Sequence, residues 1–285
     1  TPEKLKSEFY RLACTFYVSP GNERTYVVLS GLNENMPAAV QLFEKLLADA
    51  QVNKEAYTNM TSDILKARSD AKLNQGQNFS RLMSFAMYGP KSPATNLLTE
   101  AELTNMNPQE LVDRIHNQNS YKHRILYYGP SSSKDLLATI NQYHQVPAAL
   151  KDIPAGNEYS YLETPVTKVL VAPYDAKQIY MAQISNLDKK YDPAIEPIRA
   201  LYDEYFGGGM NSIVFQEMRE TRGLAYSAWA SIMPPSYLKY PYVLRTQIAT
   251  QNDKMIDAVT TFNDIINNMP ESEAAFKLAK DGLTN

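Results

Sequence analysis

The chain has 285 residues, 44% of them hydrophobic and 21% charged, a composition typical of a soluble globular protein with room for two ordinary domains. Its formal charge of -3 provides no basic face, so nucleic acid is not an expected partner. No apolar run approaches the roughly 18 residues that a membrane helix needs, and the single Cys14 excludes an internal disulfide.

The first 145 residues predict a helix, two strands and then mainly helices. Leu5, Phe9 and Leu12 share one face of a helix over Glu3–Ala13, with Thr1 as candidate N-cap and Pro2 at its first position. The elements that follow are strands at Cys14–Ser19 and Thr25–Leu32, an amphipathic helix from Met36, helix from Lys54 to about Tyr88, a short helix in "NPQELVDRIHNQ", a strand at "HRILYYG" and a serine-capped helix in "SSSKDLLATINQYH".

The sequence changes character at Val146–Pro165, which is rich in proline and has little periodicity. We interpret residues 146–165 as a linker between a first domain, 1–145, and a second, 166–285. The second domain predicts strands at "VTKVLVAP" and "KQIYMAQIS", a helix at "PAIEPIRALYDEYF", three glycines, a helix at Asn211–Thr221, strands at Leu224–Met233 and Tyr240–Thr250, and two closing helices.

An internal repeat links the two halves. The segment from Met36 to Tyr57 aligns without gaps on Met255 to Phe276, at an offset of 219 residues, and each copy follows a strand. Two full copies at this spacing would need roughly 440 residues. The sequence is therefore expected to begin inside one copy and end inside the next, as a piece of a longer protein.

The three glycines Gly207–Gly209 do not predict a phosphate site. A P-loop requires a following Lys, which is missing, and a dinucleotide loop connects a strand to a helix, whereas these glycines follow a helix. A nucleotide-binding enzyme is thus the weakest interpretation. The glycines instead predict a tight helix-to-helix turn with Asn211 or Ser212 as the next cap.

Metal ligands are not evident in the sequence. His116, His123 and His144 lie 7 and 21 residues apart, spacings that match no zinc motif, so each is expected to be a surface or packing residue. We expect this chain to hold no cofactor.

The segment "MRETRGLAYSAWA" carries the strongest candidate chemistry. Arg219 lies at the end of a predicted helix that Gly223 terminates, and Tyr226 begins the next strand. Alternation places Ala228 and Ala230 on the face of Tyr226, which predicts open space above it. A guanidinium and a phenol meeting over open space could donate to a carbonyl oxygen and stabilise it as an oxyanion. The alternative is that the arginine merely offsets the helix dipole.

The segment "GGGMNSIVFQEMRETRGLAYS" resembles the C-terminal, non-catalytic half of the M16 zinc metallopeptidases, the family of pitrilysin, insulysin and mitochondrial processing peptidase. Arg219 and Tyr226 match the arginine and tyrosine that such halves contribute to the active site. The segment "LTEAELTNMNPQELVDRIHNQNSYKHRILYYGP" resembles the end of a family domain. The family's zinc motif, H-x-x-E-H, is absent.

The resemblance implies an α+β protein of two related domains, the first partial, each a mainly antiparallel sheet with helices on one side (the LuxS/MPP-like metallohydrolase fold). It implies a peptide substrate, and zinc held by an N-terminal half of the same protein or by a partner subunit. The alternative is a structural subunit without peptidase activity, like the core proteins of respiratory complexes. The compartment stays open, with the periplasm or cell envelope favoured over the cytoplasm.

Overall fold

The computed structural model describes residues 2–21 and 24–284, so the expected cap Thr1 lies outside the described residues. The first elements in chain order are α1 (Pro2–Arg11), β1 (Cys14–Pro20), β2 (Thr25–Gly31), α2 (Met36–Ala48), α3 (Lys54–Lys72), α4 (Gln75–Tyr88), α5 (Glu100–Asn105), α6 (Gln109–His116) and α7 (Ser133–Tyr143). The later elements are β3 (Gln178–Lys190), α8 (Glu196–Phe206), α9 (Ile213–Phe215), β4 (Ser227–Met233), β5 (Pro241–Gln251), α10 (Met255–Asn267) and α11 (Glu273–Thr284).

The chain forms two compact units. The first consists of Thr1–Ala67 with Leu98–Glu158, and the second of Arg68–Leu97 with Tyr159–Asn285. The boundary at 158/159 falls inside the proposed linker, while residues 68–97 join the second unit. Part of that linker is tied to the first unit, because the backbone of Lys151 exchanges hydrogen bonds with Ser120 and Lys122. The sequence-based boundaries 1–145, 146–165 and 166–285 remain a prediction.

The first unit contains a two-stranded antiparallel sheet, β1–β2, packed against helices. Its core joins Phe9 of α1 and Cys14 of β1 to Ala39 and Phe43 of α2. The helical spacing of the apolar positions therefore selects the buried face of both helices, as the sequence indicates.

The second unit contains a three-stranded antiparallel sheet in the order β3-β5-β4. One face carries Ala228, Ala230 and Ile248, which pack against Phe206, Val214 and Phe262 from the helices. The predicted α+β class with antiparallel sheets is confirmed. On the opposite face, Phe79 of α4 stacks edge-on against Tyr180 of β3.

The repeat is present in the secondary structure. The helices α2 and α10 both have 13 residues, and both bounds differ by 219. The helices α3 and α11 also begin 219 residues apart, and a single 3-10 turn precedes both α2 and α10. Phe43 and Phe262, which are equivalent in the repeat, are buried in their respective cores. The two units thus share a strand–turn–helix–helix arrangement.

Three predicted elements differ from the structure. The segments 123–129 and 166–173 have strand-like composition but form no strand, because no neighbouring strand pairs with them within the described part of the chain. Leu126 and Val169 in these segments are therefore exposed. The long helix from Lys54 breaks in two, and the Asn74 side chain caps α4 by accepting from the Gln77 amide.

The glycine turn brings α8 against β4. A Cβ at Gly207 would lie 2.7 Å from the Cα of Ala230 and closer still to its carbonyl oxygen and amide nitrogen. Asp203 of α8 fixes the same contact, accepting from the Ile232 amide at 2.8 Å and the Ser231 hydroxyl at 2.9 Å. Gly207 is therefore needed for close backbone approach rather than for an anion.

We expect Gly207→Ala to lower the free energy of unfolding by about 1–3 kcal/mol, because the added methyl meets backbone that cannot move aside. Gly282→Ala is the matched control. Its Cβ in α11 meets no described residue within 4 Å, so the change should be neutral or stabilise the helix by at most about 1 kcal/mol. Thermal melting of both variants checks the prediction, and equal melting temperatures would contradict it.

Candidate functional site

Arg219 is positioned by a short, unusual helix. Ser212, fully buried, caps α9 by accepting from the Phe215 amide, so Ser212 rather than Asn211 is the cap. The helix then continues as a π-helical segment, Gln216–Thr221, a geometry frequent at functional sites. Met218 is completely buried beneath it, which fixes the rotation of the segment and leaves Arg219 on its exposed side.

The chain reverses at Gly223 to lead into β4. Gly223 has φ +57°, a left-handed conformation that favours glycine. The amides of Leu224 and Ala225 both donate to the Met218 carbonyl, at 2.8 and 3.2 Å. The Thr250 hydroxyl donates to the Leu224 carbonyl at 2.6 Å. These bonds hold the connection between Arg219 and Tyr226 in one shape.

Tyr226 lies immediately before β4 rather than within it, since the strand begins at Ser227. Its amide donates to the Ala249 carbonyl of β5 at 2.8 Å, which anchors the backbone. Its side chain is 71% exposed, so the phenol is available to a ligand.

Arg219 and Tyr226 are side by side. The guanidinium carbon of Arg219 lies 5.8 Å from the centre of the Tyr226 ring and 4.9 Å from that of Phe215. Both distances are within cation–π range, so the two rings flank the guanidinium. Glu220 offers a distant carboxylate, 3.6 Å from Arg219 Nε. The sequence-predicted pair is thus two adjacent hydrogen-bond donors on an accessible surface.

The expected open space above Ala228 and Ala230 is wrong. Both alanines are buried, and the Gly207 backbone packs directly on Ala230. Small side chains here accommodate a close helix-turn contact instead of a substrate. The accessible surface lies at Tyr226 itself, where the strand has not yet begun.

Arg222 belongs to a different environment from Arg219. Its Nε donates to Glu217 Oε2 at 3.3 Å, an exposed ion pair that contributes little to stability. It therefore serves as an internal comparison for the candidate pair.

The structure brings two histidines together that the sequence treated separately. His123 Nε2 lies 2.8 Å from His144 Nε2, and His144 Nδ1 lies 2.7 Å from Glu44 Oε1. A spacing of 21 residues gave no signal, because contact depends on how α7 returns to α2. Within residues 2–21 and 24–284, no group of three or more His, Cys, Asp or Glu side chains could hold a metal ion. The described residues therefore do not fit a zinc site.

The family model for the peptidase M16 inactive domain matches residues 125–283, more than half of the chain and all of the Arg219–Tyr226 region. The chain belongs to the peptidase M16 family. No curated protein sequence matches it significantly.

Among the described helices, none is long and apolar enough to cross a bilayer.

Solved structures share the fold at low sequence identity. The peptidase M16 inactive domain from Pseudomonas fluorescens is 17% identical with a TM-score of 0.68, and the match covers 98% of this chain and 68% of that one. The periplasmic protease PqqL from Escherichia coli is 14% identical with a TM-score of 0.75. A mutant of the ferredoxin protease FusC, in complex with Arabidopsis ferredoxin, is 10% identical with a TM-score of 0.69. The matches cover 99% of this M16 chain but 31% of each protease.

We expect Gly223→Val to lower the free energy of unfolding by about 1–2 kcal/mol or more, because a β-branched residue is strained at positive φ. Gly223→Asn is the control, since asparagine tolerates this conformation and should cost less. Nothing lies within 4 Å of a Cβ at Gly223, so crowding contributes to neither value. Chemical denaturation measures both, and equal losses would argue against backbone strain.

Proposed function

We propose that this M16 chain is the substrate-clamping C-terminal half of a zinc-dependent endopeptidase that acts on peptides or small proteins. The single observation that supports this most is the exposed Arg219–Tyr226 pair on a rigid turn. Zinc and its ligands would come from an N-terminal half of the same protein or from a partner subunit. The proteins PqqL and FusC, which share the fold, are proteases.

The proposed chemistry of this half is electrostatic. The Tyr226 hydroxyl and the Arg219 guanidinium donate hydrogen bonds to a peptide carbonyl near the scissile bond, and hold it in place. As the carbonyl oxygen gains negative charge, these bonds strengthen and lower the barrier. The fixed backbone around Gly223 and Met218 keeps both donors oriented before the substrate arrives.

A second candidate is a structural M16 subunit without peptidase activity. The family description, an inactive domain, favours it. It predicts that Arg219 and Tyr226 matter for folding alone.

The similarity to PqqL, a periplasmic protease, supports a proposed location in the periplasm or cell envelope.

In the protease that contains this chain and its zinc-bearing half, Tyr226→Phe should lower kcat/KM by roughly 10- to 1000-fold, the loss of one oxyanion donor. Arg219→Ala should cost a similar factor or more, because a guanidinium makes charge-assisted bonds. Zinc content should not change, as neither residue is proposed as a ligand. Steady-state kinetics with metal analysis measures these effects.

The matched control is Arg222→Ala, which removes a neighbouring guanidinium outside the pair and should have a much smaller kinetic effect. A purely structural Arg219 predicts the opposite pattern: a lower melting temperature with unchanged activity of the folded fraction. An unchanged kcat/KM in Tyr226→Phe would contradict the proposed catalytic role of Tyr226.

This polypeptide alone is expected to bind no stoichiometric zinc and to cleave no peptides, since its described residues offer no metal-holding group. Metal analysis of the purified chain and a peptidase assay with and without chelator test this. Chelator-sensitive cleavage by the isolated chain would place the zinc site here and overturn the proposed division of roles.

A further inference from the structure

The face of the β3-β5-β4 sheet opposite the helical core carries an isolated positive charge. Strand alternation puts Arg245 and Gln247 of β5 on this face, while Thr246 and Ile248 point toward the other. The register places Arg245 between Ile184 of β3 and Ser231 of β4. All of these residues belong to the second unit.

Arg245 is held mainly by stacking. Its guanidinium carbon lies 4.9 Å from the centre of the Trp229 ring, within cation–π range. Nη2 donates to Gln247 Oε1 at 3.2 Å and lies 3.3 Å from the thioether sulfur of Met83, a weak acceptor. Tyr161 lies near enough to act on its charge. Nη1 has no hydrogen-bond partner among the described residues, so its N–H groups are left for a further partner.

The charge of Arg245 is uncompensated. Its Nε is buried and has no hydrogen-bond partner in the described part of the chain. Among residues 2–21 and 24–284, no carboxylate forms an ion pair with it, whereas Arg199 pairs with both Glu196 and Asp203. Burial lowers the pKa of the Arg245 guanidinium, opposed by Tyr161, which is the direction expected for a charge lacking an anion. A partly buried charge without an anion beside it is costly unless a ligand pairs with it.

We propose that Arg245, backed by Trp229 and Gln247, binds a carboxylate of a peptide. The planar fork of a guanidinium matches a carboxylate, and the N–H groups of Nη1 are the ones left to donate to it. A phosphate-rich ligand fits less well, because one guanidinium flanked by Trp, Met and Tyr is not a basic cluster. The assignment deepens the proposed function, since it names an acidic group as a recognition element of the peptide substrate. The carboxylate comes from an Asp or Glu side chain or from the peptide C-terminus.

Trp229 provides a direct probe, because it is the only tryptophan of the 285 residues. Three pentapeptides that are otherwise alanine, each with a blocked N-terminus, would be titrated. The first has a central Glu and a C-terminal amide, and the second has Gln in place of the Glu. The third has the central Gln and a free C-terminal carboxylate. We expect the Glu peptide, the free-carboxylate peptide or both to change Trp fluorescence saturably, and the fully amidated Gln peptide not to. Identical responses to all three, or none, would overturn the proposal.

Substitutions of Arg245 test whether the peptide carboxylate binds at this residue. Arg245→Gln should weaken the carboxylate-dependent affinity about 10- to 100-fold, as measured by calorimetry, because a charge-assisted pair is lost. Arg245→Lys should retain part of it, since charge remains without the fork. Arg222→Gln, which removes an exposed arginine that already has a carboxylate partner, should bind like the parent chain. Unchanged binding in Arg245→Gln would overturn the assignment.

Thermal stability separates a ligand site from a structural role. Arg245→Met removes an unpaired, partly buried charge and should keep or raise the melting temperature without peptide, while it removes the carboxylate response. A large drop in melting temperature would show that Arg245 is structural. The carboxylate response is measured without peptide cleavage, so an unchanged kcat/KM in Tyr226→Phe would contradict the catalytic assignment without contradicting this site.

Discussion

The backbone contact between Gly207 and Ala230 is the constraint on which the site depends. It lets the end of α8 lie directly on β4, with Asp203 accepting from the Ile232 amide and the Ser231 hydroxyl at the same place. The helix that follows is fixed in two respects. Ser212 caps its first turn, and buried Met218 fixes its rotation. The position of Arg219 beside Tyr226 therefore depends on packing beneath the site.

The two units show how one scaffold supports different surfaces. The helices α2 and α10 repeat at a constant offset, and equivalent phenylalanines fill equivalent cores. At the start of β1, however, Cys14 is buried opposite Gly31, whereas the residue before β4 is the exposed Tyr226, whose amide bonds to Ala249. The core is repeated because apolar burial stabilises both units, while the exposed Tyr226 beside β4 contributes nothing to that core and belongs to the candidate site.

Charge compensation distinguishes structural from ligand-binding polar groups in the second unit. Glu196 accepts from the buried Tyr242 hydroxyl at 2.6 Å, which lowers the pKa of the carboxyl, and it also pairs with Arg199. Burial raises the pKa of the Tyr202 hydroxyl to about 12, with Asp203 adding to the shift. Glu196 thus has both a hydrogen-bond donor and a cation beside it, and its ion pair with Arg199 lies within the first turn of α8. Among the described residues Arg245 has no carboxylate partner, and this difference is the physical basis for assigning it a ligand.

The sequence by itself predicted most of the helices and strands, the repeat and Arg219 and Tyr226 as a candidate pair, because periodicity and the Arg-to-Gly-to-Tyr junction are local properties of the chain. The α+β class followed from the resemblance of its motifs to the M16 family. The sequence misassigned the strands at 123–129 and 166–173, since a strand needs a hydrogen-bonding neighbour that composition does not specify. Tertiary structure alone decided that Ala228 and Ala230 are buried, that His123 meets His144, and that Arg245 stacks on Trp229. Each depends on which distant segments approach, and that is set by the packing of whole elements rather than by the residues adjacent in sequence.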